Sequence, residues 1–310
     1  MIFVIGMKQN RTLKNVLHPW ILAARPKTLP AAISPVLIGI GISIFFGRFH
    51  LGAVLAALTC AIFIQIATNY INDVVDFTKG HDQSDRLGHL RVTQAGLLSP
   101  KQVWVGGITA FGIAIAAGIY LATIAGWSVI VIGAACILAG IAYSAGPMPL
   151  VNIGLADLFV LMFFGWAAVI GTVFVITLSV PLEAWLGGLA AGVLTMNILV
   201  VNNIRDIVSD RRAGRKNIPV IYGRRGGEIE YLIMLGIAYL TPLILFLIMG
   251  WQPWILLTYL TLPSAVKTYR ELHTTPDGIL LNIQLAKTAQ LLFLYSCAMM
   301  AGFILSRWIR

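Results

Sequence analysis

Charged residues are scarce in this chain. They form 11% of its 310 positions, whereas hydrophobic residues form 58% and the mean hydropathy is +0.87. Ordinary soluble domains carry about 25% charged residues, and a chain with so few would expose large apolar patches to water. The composition therefore excludes a soluble globular protein and predicts an integral membrane protein.

Cysteine is scarce as well. Cys60, Cys136 and Cys297 lie far apart in apolar runs, with no second cysteine or histidine at metal-ligand spacing. This pattern argues against a disulfide scaffold and a zinc site. The chain also lacks a Gly-Lys-Ser or Gly-Lys-Thr phosphate loop, which argues against a P-loop nucleotide site.

The chain contains enough apolar sequence for several membrane-spanning helices, each of which needs about 20 apolar residues to cross about 30 Å of hydrocarbon. Apolar runs bounded by charge, Gly or Pro predict nine helices. They cover residues 28–47, 51–75, 102–124, 127–143, 154–177, 183–204, 228–250, 253–269 and 288–309. We expect an all-α bundle of about nine transmembrane helices, a cytosolic tail at 1–27 and one membrane domain at 28–310.

The basic residues indicate how such a bundle is oriented. All but three of the 22 Lys and Arg residues lie in the N-terminal tail or in loops on the same side, the exceptions being Arg48, Arg307 and Arg310. Lys and Arg accumulate on the cytoplasmic side of membrane proteins. The N-terminus is therefore predicted to be cytosolic and the C-terminus to lie outside the inner membrane. The net charge of +10 then requires no nucleic-acid partner.

The second predicted helix ends in a polar cluster within the segment NYINDVVDFTKGHD. Asn69 and Asp73 are four residues apart, as are Asn72 and Asp76. Residues at this spacing lie on one face of a helix. The four side chains are therefore predicted to share one flank of the helix end.

The sixth predicted helix ends in a similar cluster within the segment NNIRDIVSDRRAGRK. Asn202 precedes Asp206 by four residues, and Asp206 precedes Asp210 by four. A solvated loop neutralised by its own cations would explain one such cluster. Two alike, on the same predicted side of the membrane, favour a shared site.

Carboxylates and cations together suit a diphosphate. Mg²⁺ is held by one or two carboxylates together with phosphate oxygens and water, and Lys and Arg neutralise the remaining phosphate charge. An isoprenoid chain on that diphosphate could lie among the apolar helices. The two clusters thus favour a prenyl diphosphate bound at the membrane interface.

Four segments carry a resemblance to a known family. They are LAARPKTLPAAISPVLIGIGIS, NYINDVVDFTKGHD, YSAGPMPL with GLADLFV, and NNIRDIVSDRRAGRK. Together they strongly resemble the UbiA superfamily of intramembrane aromatic prenyltransferases, and within it the branch that acts on 1,4-dihydroxy-2-naphthoate. The resemblance implies transfer of a polyprenyl chain from polyprenyl diphosphate with loss of CO₂ and diphosphate, giving demethylmenaquinone in menaquinone biosynthesis.

The resemblance also implies roles for particular residues. The ligands of two Mg²⁺ ions are expected to be Asn72, Asp73, Asp76, Asp206 and Asp210, with Asn203 beside them. Substrate binding is expected from Arg25, Asn69, Arg86, Arg91, Asn202 and Asn203. The candidates for stabilising the departing diphosphate are Lys79, Arg211 and Lys216. Tyr143 is the candidate for stabilising an allylic cation, although a packing role explains it equally well.

The acceptor is defined less sharply than the family. Lys79, Gly80 and Asp82 match the naphthoate branch, whereas the 4-hydroxybenzoate branch has a further aspartate at the position of Gly80. His89 and Asn217 depart from the naphthoate pattern. Prenyl transfer to 4-hydroxybenzoate, homogentisate or a glyceryl phosphate therefore stays open.

Two interpretations of Asp157 also stay open, proton acceptance and capping of the fifth helix, and capping is preferred.

A membrane transporter or lipid carrier is the alternative from another class, because acids within membrane segments also mark ion pathways. Transporters generally place their substrate sites near the bilayer midplane. The acids of this chain lie instead at the predicted ends of helices. Their position therefore favours an enzyme that works at the interface.

Alanine variants of the two central aspartates test the shared site. Asp73→Ala or Asp206→Ala is expected to abolish prenyl transfer, because each change removes a predicted metal ligand, while the protein remains folded in the membrane. Transfer assays on membrane fractions with matched protein levels measure the effect. Full activity in both variants would contradict the prediction.

Overall fold

The computed structural model describes residues 13–78, 87–88, 90–144, 154–250, 252–276 and 278–309, with the backbone alone for 13–16 and 142–144. Within these ranges the regular structure is entirely helical. The α-helices are α1 (Leu13–Ala24), α2 (Leu29–Phe45), α3 (Leu51–Thr78), α4 (Pro100–Ala125), α5 (Ser128–Ser144), α6 (Ala156–Val160), α7 (Ala168–Thr177), α8 (Leu182–Arg205), α9 (Ile207–Arg212), α10 (Ile218–Ile248), α11 (Leu262–Thr274) and α12 (Leu281–Trp308). Two 3₁₀ helices cover Pro26–Thr28 and Pro253–Thr261, and a π-helical segment, Leu161–Ala167, joins α6 to α7.

Seven helical segments in the described part of the chain are long and apolar enough to cross a membrane. They are Leu17–Phe45, Leu51–Thr78, Pro100–Ala125, Ala156–Thr177, Leu182–Arg205, Ile218–Ile248 and Leu281–Trp308. The remaining two of the nine predicted helices correspond to α5 and to the helical segment 253–274. The all-α membrane fold is confirmed, and the count of nine is approximate. The boundary between tail and domain at residue 28 stays a prediction, although α1 already packs against α3 through Trp20 and Tyr70.

Two helices begin earlier than hydropathy predicts. The helical segment α10 begins at Ile218 instead of 228, with a break at Gly223, where φ is 73° and ψ is −176°, and α12 begins at Leu281 instead of 288. Hydropathy detects only the apolar part of a helix, whereas a capping side chain can start the helix earlier. Asn217 caps the start of α10 by accepting a hydrogen bond from the backbone N–H of Val220 at 2.9 Å, whereas α12 begins without a side-chain cap. The polar first turns thus belong to these two helical segments.

Helix α8 lies at the centre of the largest of three hydrophobic cores in the described part of the chain. It packs against α10, α2, α12 and the π-helical segment, and the core includes the fully buried side chains of Ile38, Leu194, Tyr231 and Tyr295. A second core joins α3 to α4 around Tyr70. The surrounding elements therefore bury α8 deeply. This packing sets the position of its last turn, which carries Asn202, Asn203 and Arg205.

Glycines allow the π-helical segment to approach α8 closely. A Cβ atom on Gly165 would lie 2.5 Å from the carbonyl oxygen of Gly188 and 2.9 Å from the Cα of Gly192. These are backbone atoms, which cannot move aside as the end of a flexible side chain can. The two backbones can therefore pack at this distance only if residue 165 lacks a Cβ.

Both ends of the bundle are identified by contacts of α12. Its 28 residues span about 42 Å at 1.5 Å per residue. At its start, Asn282 contacts Leu87 and Arg205. At its finish, the carbonyl of Ile309 accepts a hydrogen bond from Trp254. We call the first end, defined by Leu87, Arg205 and Asn282, the polar end of the bundle.

Alanine substitutions at two glycines test the close approach. Gly165→Ala is expected to lower the apparent melting temperature, because overpacking a tight contact costs about 1–3 kcal/mol. Gly171→Ala is the matched control, since a Cβ there meets no atom within 4 Å and alanine favours a helix over glycine by up to about 1 kcal/mol. Tryptophan fluorescence during heating in detergent measures both. Equal melting temperatures in the two variants would show that the bundle accommodates a methyl group at residue 165 without loss of stability.

Candidate active site

Asp73 holds the loop that follows α3. Its buried carboxylate accepts hydrogen bonds from the backbone N–H groups of Val92 and Thr93, each at 3.1 Å, and from the hydroxyl of Thr93. A carboxylate accepts at about four lone-pair positions, so one stays open for a cation. Because Asp73→Ala would also release this loop, Asp206→Ala is the cleaner test of the two.

Asp76 and Asn72 lie beside it at the end of α3. Asp76 forms an ion pair with Arg91, whose side chain is only 3% exposed. The structure thus joins a predicted metal ligand to a predicted substrate-binding residue. The Oδ1 atom of Asn72 is buried without a hydrogen-bond partner. A buried unpaired acceptor costs about 1–3 kcal/mol, and a bound cation would compensate that cost.

Asn69 positions the turn that carries Arg25. Its Nδ2 donates to the carbonyl of Ala24 at 2.9 Å and to the hydroxyl of Thr28 at 3.2 Å. Arg25 adopts the left-handed conformation, with φ 52° and ψ 69°. A residue other than glycine in this region stores about 1–3 kcal/mol of strain. Asn69 therefore acts on the backbone of this turn, which brings Arg25 to the first cluster.

Asp206 is held by its neighbour Arg205 at the end of α8. The Nε and Nη2 atoms of Arg205 donate to the two carboxylate oxygens of Asp206 at 2.8 and 2.6 Å. The Arg205 side chain is 7% exposed and that of Asp206 is 19% exposed. Two-point pairing fixes the plane of a carboxylate and leaves a lone pair open on each oxygen. Asn203 is buried and Asn202 half-buried beside this pair.

Asp210 fixes the turn between α9 and α10. Its carboxylate accepts hydrogen bonds from Arg215 at 2.8 Å and from Asn217 at 2.9 Å. Burial raises the pKa of Asp210, and the charge of Arg215 opposes that shift. Asn217 has no role among the predicted site residues, yet Asn before Ile-Pro is a recognisable helix start. The side chain of Asn217 therefore links Asp210 to the cap of α10.

Two of the three predicted diphosphate-binding cations, Arg211 and Lys216, lie around that turn. Lys216 is exposed on it, whereas Arg211 donates to the carbonyl of Val220 at 3.1 Å. A Cβ on Gly154 would lie 2.9 Å from the carbonyl oxygen of Lys216, so the segment before α6 packs directly against the turn. Lys216 is therefore an exposed cation beside the second cluster.

Three predicted site residues have no described side chain. Lys79 and Arg86 lie outside the described residues, and Tyr143 is described only as backbone in the last turn of α5. Their assignments stay predictions. His89 likewise lies outside the described residues.

Two acids add to the polar end in ways that the sequence did not indicate. The N-cap of α6 is Leu155, so the capping interpretation of Asp157 is wrong, and the Oδ1 of Asp157 has no hydrogen-bond partner. Glu230 on α10 is 5% exposed, and its Oε2 is also unpaired. The two carboxyl groups lie close enough to interact electrostatically. No sequence pattern marks Glu230, because it resembles an ordinary polar residue at the start of a span.

The two aspartate clusters are connected through α12. The Nη1 of Arg205 donates to the Oδ1 of Asn282 at 2.7 Å, and the Nδ2 of Asn282 donates to the carbonyl of Leu87 at 2.8 Å. Leu87 lies in the same connection between α3 and α4 as Val92 and Thr93, which bind Asp73. The ends of α3 and α8 therefore lie at the same end of the bundle. Asn282 could not be found from the sequence, because it contacts Leu87 across 195 positions.

The donor atoms of this site fit Mg²⁺. Among the described side chains, no group of three or more His, Cys, Asp or Glu residues is gathered closely enough to hold a metal ion. Mg²⁺ does not need such a group, since it is usually bound by one or two carboxylates plus substrate phosphates and water. The open lone pairs of Asp73 and Asp206 and the unpaired Oδ1 of Asn72 are suitable oxygen ligands.

The fold and the site together define an integral membrane protein with two Asn/Asp clusters at one end of an all-α bundle. A profile of the UbiA prenyltransferase family matches residues 32–278. The chain therefore belongs to the UbiA prenyltransferase family.

Relatives and a solved structure agree with this membership. The chain is 33% identical over 248 residues to the 1,4-dihydroxy-2-naphthoate octaprenyltransferase of Mycobacterium tuberculosis, covering 80% of this chain and 84% of the relative. It is 30% identical over 297 residues to the octaprenyltransferase of the same name from Escherichia coli, covering 93% and 96%. A UbiA homologue from Archaeoglobus fulgidus, bound to DMAPP and Mg²⁺, shares the fold with a TM-score of 0.66, 17% identity, and coverage of 94% and 99%.

Substitutions at Arg25 separate backbone strain from side-chain function. Arg25→Gly and Arg25→Ala both remove the guanidinium, and both are expected to lower kcat/KM for prenyl transfer at least tenfold. Only glycine relieves the left-handed strain, so Arg25→Gly should be the more stable of the two by about 1 kcal/mol. Activity assays and thermal unfolding measure the pair. Wild-type activity in Arg25→Gly would show that Arg25 has no role in substrate binding.

Proposed function

We propose that this protein transfers a polyprenyl chain from polyprenyl diphosphate to 1,4-dihydroxy-2-naphthoate in menaquinone biosynthesis. The observation that carries the proposal is the joining of two Asn/Asp clusters, from α3 and α8, at one end of the bundle. The acceptor is supported by the two relatives named above, of which this chain spans 84% and 96%.

In the proposed reaction, the carboxylate is the group that leaves the aromatic ring, as CO₂. The allylic carbon–oxygen bond breaks, and diphosphate departs with the electron pair. The ring carbon that bears the carboxylate forms the new bond to the prenyl chain. The carbon–carboxylate bond then breaks, CO₂ leaves, and its electron pair returns to the ring. The products are CO₂, diphosphate and the quinol of demethylmenaquinone. Dissolved O₂ in the assay then accepts two electrons and two protons from this quinol and gives the quinone.

Mg²⁺ is the cation that we assign to the site. Its ligands from this chain would be Asn72, Asp73, Asp76, Asp206 and Asp210, with diphosphate oxygens completing its coordination. When bound, it supplies positive charge that stabilises the departing diphosphate. The Archaeoglobus fulgidus homologue, which binds DMAPP and Mg²⁺, supports this assignment.

The chain's own cations bind and orient the substrates in this proposal. Lys216, exposed beside the second cluster, neutralises the diphosphate together with Arg211 and Lys79. Arg25, presented by its left-handed turn, orients the carboxylate of the naphthoate. Tyr143 is the candidate for stabilising the allylic cation, since aromatic faces attract cations.

Further contacts to the substrates come from residues beside the metal ligands. These are Asn69, Arg86, Arg91, Asn202 and Asn203. Asn69 acts through the turn that carries Arg25, and Arg91 acts from its ion pair with Asp76.

The site lies at the cytosolic face of the inner membrane in this proposal, with the N-terminus cytosolic and the C-terminus outside. The distribution of Lys and Arg supports this orientation. So does the position of the polar end, which holds the Arg25 turn and lies opposite Ile309.

A transfer assay with competing acceptors tests the proposed function. Purified protein receives a long-chain polyprenyl diphosphate and Mg²⁺, with 1,4-dihydroxy-2-naphthoate and 4-hydroxybenzoate in parallel, and products are identified by mass. The expected product is the decarboxylated prenyl-naphthoquinone. Prenylated 4-hydroxybenzoate would overturn the acceptor but keep the family reaction. No product from folded protein would overturn transfer and favour a lipid carrier.

A further inference from the structure

Asn282 occupies an unusual place in the polar end. It is the second residue of α12, far in sequence from both aspartate motifs, yet its amide contacts a residue beside each of them. Its Oδ1 accepts from Arg205 at 2.7 Å, and its Nδ2 donates to the carbonyl of Leu87 at 2.8 Å. A guanidinium only donates and a carbonyl only accepts. The two partners therefore determine which end of the amide faces which loop.

On one side, Asn282 controls the carboxylate of Asp206 through Arg205. Arg205 uses Nη1 for Asn282 and uses Nε and Nη2 for the two oxygens of Asp206. A planar guanidinium bound at three positions cannot rotate without breaking a hydrogen bond. The amide of Asn282 thus sets the orientation of Asp206, although the two residues share no hydrogen bond.

On the other side, Asn282 contacts the loop that surrounds the first motif. Leu87 begins the described part of this loop, which continues to Arg91, Val92 and Thr93. Those residues bind Asp76 and Asp73. One side chain therefore connects both halves of the site from a third helix.

We propose that Asn282 is a positioning residue that holds the second aspartate motif at a fixed distance from the first. The inference rests on the proposed function, because the two motifs are the metal and diphosphate ligands there. Partners that orient metal ligands typically change metal affinity or activity by 10–100-fold when mutated. Asn282 touches neither substrate nor metal in this arrangement, and it acts through Arg205 and Leu87.

A role confined to anchoring the start of α12 would predict a different result. Gln284, two residues later, also makes a polar contact to another helix, from its Nε2 to the hydroxyl of Thr275 at 3.1 Å. That contact joins α12 to the end of α11 and reaches neither motif. Gln284→Ala is therefore the matched control for a general loss of anchoring.

The test compares wild-type protein with Asn282→Ala, Asn282→Asp and Gln284→Ala, each full-length and purified in detergent. Calorimetric binding of geranyl diphosphate over a Mg²⁺ titration is the first measurement and requires no turnover. The KM for prenyl diphosphate, the KM for the aromatic acceptor and kcat follow in the transfer assay. Thermal unfolding reports the stability of each variant.

Asn282→Ala is expected to raise the half-saturating Mg²⁺ concentration and the KM for prenyl diphosphate by about 10–100-fold. The KM for the acceptor should stay near the wild-type value. Asn282→Asp keeps an acceptor for Arg205 but loses the donor to Leu87, so its Mg²⁺ requirement should lie between those of wild type and Asn282→Ala. Gln284→Ala should bind Mg²⁺ and prenyl diphosphate as wild type does, even where its melting temperature falls.

Equal Mg²⁺ and diphosphate binding in Asn282→Ala and Gln284→Ala would overturn the proposal. Wild-type Mg²⁺ and diphosphate binding by Asn282→Asp would show that the hydrogen bond to Leu87 has no part in positioning the motifs. If Asn282→Ala does not fold, Asn282→Asp is compared with Gln284→Ala by the same criterion. A wild-type protein that binds no geranyl diphosphate with Mg²⁺ would overturn the proposed function itself. Transfer to a different acceptor would leave the inference about Asn282 intact, because the diphosphate half of the reaction is shared.

Discussion

The central constraint on this structure is the presence of carboxylates at the end of a bundle that is otherwise apolar. An ionised carboxylate near hydrocarbon is stable only when cations or N–H groups compensate its charge. The aspartates meet this requirement in two ways. Asp73 is compensated by backbone N–H groups, whereas Asp76 and Asp206 are compensated by buried arginines. The loops at the polar end are therefore shaped by the acids they enclose.

This compensation is incomplete in a way that suits the proposed chemistry. Arginine pairing orients a carboxylate without filling all of its lone pairs, and the Oδ1 of Asn72 is buried without any partner. In a site of this kind the carboxylates are held in place by hydrogen bonds before a ligand binds, and some of their oxygen lone pairs stay available to a cation. Rigid placement of binding groups reduces the reorganisation that a reaction requires. The bundle supplies the rigidity through close glycine contacts such as that of Gly165.

The sequence predicted the fold class and the grouping of the aspartates because both depend on local patterns. Apolar runs locate helices, and spacing of four residues places Asn72 near Asp76 on one flank. The pairing of Asp76 with Arg91, by contrast, depends on how a loop folds back over α3. The contacts of Asn282 and the burial of Glu230 depend on helices that are distant in the chain. No periodicity within one segment encodes such contacts, so they required the structure.

The place of Asn282 in the chain has a consequence for how the protein is assembled. Asp73 meets its partners, Val92 and Thr93, within about twenty positions, so this half of the polar end can form while synthesis continues. Arg205 meets Asn282 only after synthesis has advanced a further 77 positions. A nascent chain therefore contains both motifs before they are held together. The complete arrangement can form only after the start of α12 has been synthesised and packed at the polar end, so the two halves of the polar end are completed at different stages of synthesis.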